Sequence, residues 1–193
     1  MYQLRGKLSI VMPAYNEEAL IYNSIMQTLS IVEQFAPDME IIAVNDGSKD
    51  KTKQEIERAI RDDAKQPHPV VPGMRVSGTR IKLVTSNKNR GKGNAIISGI
   101  SQAEGDYIAF VDADLELNPA QLEGYLKKMQ ESGSDVVIGC KFHKDSELHY
   151  PFVRKVISLG YYMMLLVLFH LNVRDTQTCL LYTSPSPRDM RRS

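Results

Sequence analysis

Two carboxylates stand one residue apart, Asp112 and Asp114, in the run Y-I-A-F-V-D-A-D-L-E from Tyr107 to Glu116. The residues before them are apolar and read as a buried strand ending at Val111. Acids placed where a strand leaves an open α/β sheet can hold a hard divalent cation that carries phosphates. A solvated acidic turn has the same spelling, so the pair alone decides nothing. Three more polar clusters follow apolar runs in the same way. In P-A-Y-N-E-E, Pro13 forces a turn, Tyr15 offers a ring to a base or sugar, and Glu17 can accept from ribose hydroxyls or a base edge. A loop whose acid pair opens a helix fits those residues equally well. In N-D-G-S, Gly47 permits a tight turn beside Asp46, whose carboxylate can take two donors from a nucleobase or close an Asx-turn before a helix cap. In N-R-G-K-G, a glycine-rich turn opens a helix, and its amides with Arg90 and Lys92 suit a phosphate. Its spacing is that of neither a P-loop nor a dinucleotide fingerprint, and a solvated basic turn is the plain alternative.

The elements that must position these clusters alternate strand with helix. Leu8–Met12 is a first strand ended by Pro13. A helix with Ile21, Ile25, Leu29 and Val32 on one face follows, and Pro37 and Asp38 break it. Glu40–Val44 is the second strand, and Asp50 can cap a helix that buries Ile56, Ala59 and Ile60. Pro67–Thr79 reads as a long surface loop. Ile81–Thr85 is a third strand, leading to a helix that buries Ile96, Ile97, Ile100 and Ala103. After Tyr107–Val111, Asn118 and Pro119 start a helix that Gly133 stops, and Asp135–Gly139 is a fifth strand. This order predicts an α/β domain with a mostly parallel central sheet and helices on both faces. All four clusters would then open onto one edge of it.

The chain has 193 residues, 42% of them hydrophobic, enough for one domain with a real core. A net charge of +1 provides no basic field for nucleic acid. The two cysteines, Cys140 and Cys179, lie far apart without metal spacing, which argues against a disulfide framework or a zinc site and suits a reducing cytosol. Met1–Lys7 is polar and the following apolar run is short, so no signal peptide is read.

Taken in order, P-A-Y-N-E-E, V-N-D-G-S-K-D, N-R-G-K-G-N-A, D-A-D and V-R-D-T-Q-T resemble the family 2 inverting glycosyltransferases, which have a GT-A (Rossmann-like) fold. Within that family the chain is similar to the dolichyl-phosphate glucosyltransferase and polyprenyl-phosphate mannosyltransferase branch, over about Leu8 to Thr178. The resemblance implies transfer of a hexosyl group, glucose favoured, from UDP-glucose or GDP-mannose to a polyprenyl phosphate with inversion. It implies that Pro13, Tyr15, Glu17 and Asp46 contact the nucleotide. Asp112 and Asp114 would face the diphosphate, with Asp114 the direct ligand of Mg2+ or Mn2+ and Glu116 a second. Asn45 stands where many relatives have another Asp. Lys141 and Arg154 match basic positions that would hold the acceptor phosphate, Lys141 where relatives commonly carry Arg; a solvated cation is the alternative for each. Two other readings stay open: a family 2 enzyme with a different glycan or lipid acceptor, and a nucleotide-binding or membrane-docking module without turnover. A nucleotidyltransferase is disfavoured, since no glycine-rich signature follows the first strand.

Leu159–Leu171 is too short to span a bilayer, which takes about 20 residues. With Arg154, Lys155, Tyr161 and Tyr162 it suits an interfacial helix, and a helix buried in the domain or against further sequence fits equally. His170 suggests no chemistry. The expected location is the cytoplasmic face of a membrane, peripherally bound. Cys179–Asp189, C-L-L-Y-T-S-P-S-P-R-D, resembles the translation of a transposase sequencing adapter, with an ordinary Pro/Ser-rich end as the alternative. The expected division is therefore a catalytic domain over 1–178, incomplete at its C-terminus, and a non-native tail over 179–193.

Overall fold

The computed structural model describes residues 2–66, 79–138 and 180–183. The chain divides into two compact units, Met1–Val137 with Leu181–Ser193, and Ile138–Leu180. Outside the described residues lie the expected loop apart from Thr79, Lys141, Arg154, Leu159–Leu171 and the V-R-D-T-Q-T motif.

Four strands run parallel: β1 (Leu8–Ala14), β2 (Met39–Asp46), β3 (Ile81–Ser86) and β4 (Tyr107–Phe110). They alternate with α1 (Ile21–Val32), α2 (Thr52–Asp63) and α3 (Lys92–Ile100), and are followed by α4 (Gln121–Ser132) and β5 (Val136–Ile138). A last strand, β6 (Leu180–Thr183), runs antiparallel to β4 with Tyr107 opposite Thr183. The sheet order is β3-β2-β1-β4-β6-β5. β6 falls in the segment expected to be foreign; strand pairing uses backbone groups that any sequence carries. No helix among the described residues is long and apolar enough to cross a membrane.

The central strands are buried on both faces, as crossover helices require: every residue of β2 is buried. One face carries Val11, Ile42, Val44 and Ile108 against Ala95 and Ala103 at α3 and its C-terminal end. α1 and α2 pack on each other and against β2. β1 runs two residues further than expected, through Pro13 to Ala14. The Val111 amide donates to the Val11 carbonyl at 3.1 Å, so the backbone of Val11, and two residues on that of Pro13, faces the β4 side. β4 has ended by then, and the N–H that proline lacks has no partner to lose.

α3 differs from its sequence reading. Ile97 is 66% exposed, and Ala95 and Gly99 are the buried residues of the helix. A Cβ on Gly99 would stand 2.3 Å from a Val11 methyl, so the helix lies on the sheet through its smallest residues. Ile96 and Ile100 are half-buried beside that line of contact.

At the N-terminal edge of the strands the charges close on each other. Glu40, 3% exposed, accepts from Ser9 Oγ at 2.6 Å and from the Glu104 amide at 2.8 Å. Its other oxygen faces Lys82 Nζ at 2.8 Å and Lys7 Nζ at 3.2 Å, and both lysines also reach Glu104. Burial pushes the Glu40 carboxyl up, but its bonds to Lys82, Ser9 and the Glu104 amide, together with Lys7, hold it below the usual range. Nearby, buried Asp63 grips the Arg80 amide and guanidinium, and Arg80 reaches Glu33 at 2.8 Å, tying β3 to the ends of α1 and α2.

Candidate active site

At the opposite, C-terminal edge, the ends of β1, β2 and β4 and the turn before α3 enclose an open cleft of about 340 Å³. β1 supplies Pro13 and Ala14 and leads into Tyr15 and Glu17; β2 supplies Asp46. The turn supplies Asn89, Gly91 and Lys92, with Ala95 beyond it, and the segment after β4 supplies Asp112, Ala113 and Asp114. Residues from four separate stretches, spread over a hundred positions of sequence, thus share one cavity.

The backbone around the cleft is braced by side chains that are not themselves aimed at it. The loop after β1 and the loop after β2 are latched together. Ser48 Oγ accepts from the Asn16 amide at 3.0 Å, and Asn16 Oδ1 accepts from the Lys49 amide at 2.9 Å. Thr52 Oγ1 accepts from the Glu17 amide at 2.8 Å, and Asp50 Oδ2 from the Glu18 amide at 3.1 Å. Glu18 in turn accepts from the Lys51 amide at 2.8 Å. Of the acid pair, Glu18 is therefore a fastener and Glu17 lines the cleft. Asp50 Oδ1 also accepts from the Thr52 amide and hydroxyl at the first residue of α2, but the N-cap position of that helix is the next residue, Lys51, rather than the expected Asp50. Burial raises the Asp50 carboxyl, and these donors outweigh it and leave it below the usual carboxylate range.

Asp46 is 3% exposed, and its oxygens accept from the Arg90 amide at 3.1 Å and the Gly91 amide at 2.9 Å. A carboxylate has about four lone-pair sites, so the turn leaves this one fewer open acceptors than a free aspartate would offer a ligand. The same bonds occupy two amides of the glycine-rich turn whose amides were expected to suit a phosphate. The helix starts just beyond, at Lys92, and the first-turn amides of a helix have no partner within it. Gly47 is what allows the turn so close: at φ +70°, any Cβ there would fall 2.4 Å from the Lys88 carbonyl carbon. Gly91, at φ +89°, makes the sharp entry into α3.

Ser24 on α1, read from sequence only as part of a helix, donates to the Ala113 carbonyl at 2.5 Å and so holds the D-A-D backbone. Nothing in the sequence flags it beyond a hydroxyl on an apolar face. Asp114 is exposed and accepts from the Glu116 amide at 3.2 Å, with Leu115 between them at φ +51°. Asp112 pairs with Lys92, Oδ1 to Nζ, at 2.7 Å. The described lining ends at Asp114; Glu116 is exposed beside it, and Arg90 is exposed with its amide turned to Asp46. The cleft therefore brings together Pro13, Tyr15, Glu17, Asp46, Lys92, Asp112 and Asp114 of the expected residues, and adds Asn89.

A divalent cation fits the donor set of Asp112 and Asp114: both are carboxylates, hard oxygen donors, in a polar cleft open to solvent. Among the described residues no three His, Cys, Asp or Glu side chains gather into a complete cation site. Mg2+ in such sites takes one or two carboxylates and completes its shell with water and substrate phosphates.

The family model described as glycosyl transferase family 2 matches residues 9–184. An undecaprenyl-phosphate 4-deoxy-4-formamido-L-arabinose transferase of Enterobacter sp. (strain 638) is 35% identical over 68% of this chain and 36% of its own length. A dolichyl-phosphate beta-glucosyltransferase of Trichomonas vaginalis is 30% identical over 88% of this chain and 51% of its own. Among solved structures, the glucosyl-3-phosphoglycerate synthase of M. tuberculosis superposes with a TM-score of 0.60 at 19% identity, covering 92% of this chain and 57% of that one, which shows a common fold. The chain spans about a third to a half of the length of the curated relatives it matches. The expected α/β architecture, GT-A in type, is thus the one found.

Proposed function

Because the chain belongs to glycosyl transferase family 2, we propose that its cleft binds a nucleotide-diphosphate sugar and that the protein transfers the hexosyl group, with inversion, to a polyprenyl phosphate. The observation that carries this reading is the meeting of Glu17, Asp46, Lys92, Asp112 and Asp114 in one cavity at the edge where open α/β sheets bind ligands. Relatives that are named transferases to undecaprenyl phosphate and dolichyl phosphate support the acceptor class. Glucose from UDP-glucose is the favoured donor sugar, with GDP-mannose the competitor.

On this reading Tyr15, 39% exposed at the mouth, packs on the base or sugar. Glu17 accepts from the ribose, and Pro13 shapes the wall beneath. Asp46 uses an acceptor site left over from the turn amides for one base donor rather than two. Asp112 and Asp114 would hold Mg2+ or Mn2+, Asp114 as the direct ligand and Glu116 next to it. When bound, that ion supplies stabilisation of the charge growing on the departing nucleoside diphosphate. Lys92, and Arg90 if its side chain swings in, add positive charge on the same group. The acceptor phosphate is already anionic near neutral pH, so it needs holding more than a general base. Lys141 and Arg154 are assigned to that holding, and Leu159–Leu171 to the cytoplasmic surface of the membrane beside the lipid tail. Residues 1–178 are assigned to the catalytic domain and 179–193 to a non-native tail, which the wording of Cys179–Asp189 supports.

The test is a panel of nucleotide sugars offered with a polyprenyl phosphate, using a chain extended with native sequence in place of 179–193. Release of nucleoside diphosphate that depends on the lipid phosphate and prefers UDP-glucose is the expected result. Release that requires a soluble glycan instead would move the acceptor to another class. Nucleotide binding without any release would reduce the domain to a binding module.

A further inference from the structure

The Lys92–Asp112 pair joins a cation meant for the donor to a carboxylate meant for the metal. Both partners are mounted on fixed backbone. Lys92 is the first residue of α3, set by the positive φ of Gly91 and by the grip of Asp46 on the two preceding amides. Asp112 precedes Ala113, whose carbonyl is held by buried Ser24. Their contact at 2.7 Å is therefore a property of the frame as well as of two mobile side chains. It cancels one of the two negative charges that a divalent cation would find here and occupies one oxygen of the pair.

We infer that Lys92 makes metal loading of this cleft depend on the nucleotide: it holds Asp112 in the donor-free protein and releases it when a diphosphate offers a second anionic partner. This inference rests on the reading of the cleft as a nucleotide-diphosphate site. The physical argument is competition. A cation approaching Asp112 and Asp114 alone must displace an ammonium ion or endure its repulsion. A diphosphate entering the same cavity gives that ammonium somewhere to go, adds phosphate oxygens to the shell of the incoming ion, and frees the Asp112 oxygen. Metal and nucleotide then tighten each other's binding, and the coupling is reciprocal.

The measurement is Mn2+ binding to the full 193-residue chain, followed by the electron-paramagnetic-resonance signal of free Mn2+, with and without saturating UDP or GDP and with no turnover involved. The pair is partly solvated, so the effect of breaking it is modest. Without nucleotide, Lys92→Met binds Mn2+ about two- to fivefold more tightly than wild type, the range an exposed pair accounts for. With nucleotide that advantage vanishes. Lys92→Arg stays near wild type, and Lys88→Met, an exposed cation just before the same turn, changes neither value. Equal or weaker Mn2+ binding by Lys92→Met in the absence of nucleotide overturns the inference, as does an equal gain in Lys88→Met, which would make it a general charge effect. If UDP and GDP bind normally in those cases, the donor reading survives. If neither nucleotide binds wild type, the donor reading and the coupling built on it both fall.

Discussion

The two edges of the parallel sheet use charge in opposite ways. At the N-terminal edge Lys7, Glu40, Lys82 and Glu104 neutralise one another across three strands and the turn before β4, with Ser9 and backbone amides completing the bonds. At the C-terminal edge Glu17, Asp112 and Asp114 are kept within reach of solvent while Asp46 is buried against the turn amides, and the rest of the bracing is done by neighbours: Ser24, Asn16, Ser48 and Thr52. Among the described residues, the non-glycine positions with positive φ, Asn16 and Leu115, are both at this second edge. One edge ties the strands together through closed ion pairs, and the other keeps Glu17, Asp112 and Asp114 open to solvent on a backbone held mostly by neighbouring side chains. Stability and activity should therefore separate by edge.

The largest expected effect is on activity alone. Asp114→Ala should lower donor turnover by about a hundredfold or more, the scale of removing one preorganised electrostatic group at a reacting centre. Its urea midpoint should stay near wild type, because the carboxylate is exposed and its one described backbone bond is local. Turnover at the wild-type rate would remove Asp114 from the reaction; a large fall in midpoint would move it to the structural side of the comparison.

Glu40→Ala should do the reverse. It leaves Lys7 and Lys82 facing each other across a cavity and strips Ser9 Oγ and the Glu104 amide of an acceptor. A loss of about 2–3 kcal/mol is expected, somewhat below the cost of breaking a fully buried pair because both lysines keep some water. Nucleotide binding per folded molecule, measured by calorimetry well below the melting temperature, should be unchanged. Weakened binding in the folded fraction would mean that the edges are coupled.

The same cluster sets an acid limb. Hydrogen bonds from Lys82 and Lys7 hold the Glu104 carboxyl down to about 2, from an ordinary value of 4.5. A carboxyl depressed in the folded state adds stability that is complete above its unfolded value and disappears as pH falls through the folded one. The gap between wild type and Glu104→Gln should be full above about pH 4.5 and close toward pH 2. Glu104 is largely exposed, so added salt should shrink the gap at every pH. A gap indifferent to pH over that window would take Glu104 out of the network.

Much of this division could be read from residues in order, and the parts that could not have physical causes. Apolar runs placed the strands, and polar clusters after them marked the working edge, because a parallel sheet fixes which end each strand leaves by. The N-terminal cluster was invisible: Lys7, Glu40, Lys82 and Glu104 are ordinary charges until β1, β2 and β3 stand side by side. Ile97 was misread because periodicity counts apolar residues, whereas α3 meets the sheet through Ala95 and Gly99, where closeness matters more than size. For Asp46 the sequence offers a nucleobase acceptor or a local Asx-turn, and neither reading reaches its actual donors, the Arg90 and Gly91 amides, which lie more than forty positions away.

The smallest effect probes the strain at the working edge. Leu115 has φ +51°, a left-handed conformation that costs an ordinary residue about 1–2 kcal/mol and that Asn enters more easily. Leu115 is also half-buried, so replacing it removes some packing. If the turn after Asp114 is held against its preference so that the carboxylate stays in place, Leu115→Asn should raise stability by about 0.5 kcal/mol in urea melts, the strain relieved slightly exceeding the packing lost. A loss of more than about 1 kcal/mol would show the leucine to be there for its contacts, and the strain argument would fall, since Asn16 is of a type that takes this conformation easily.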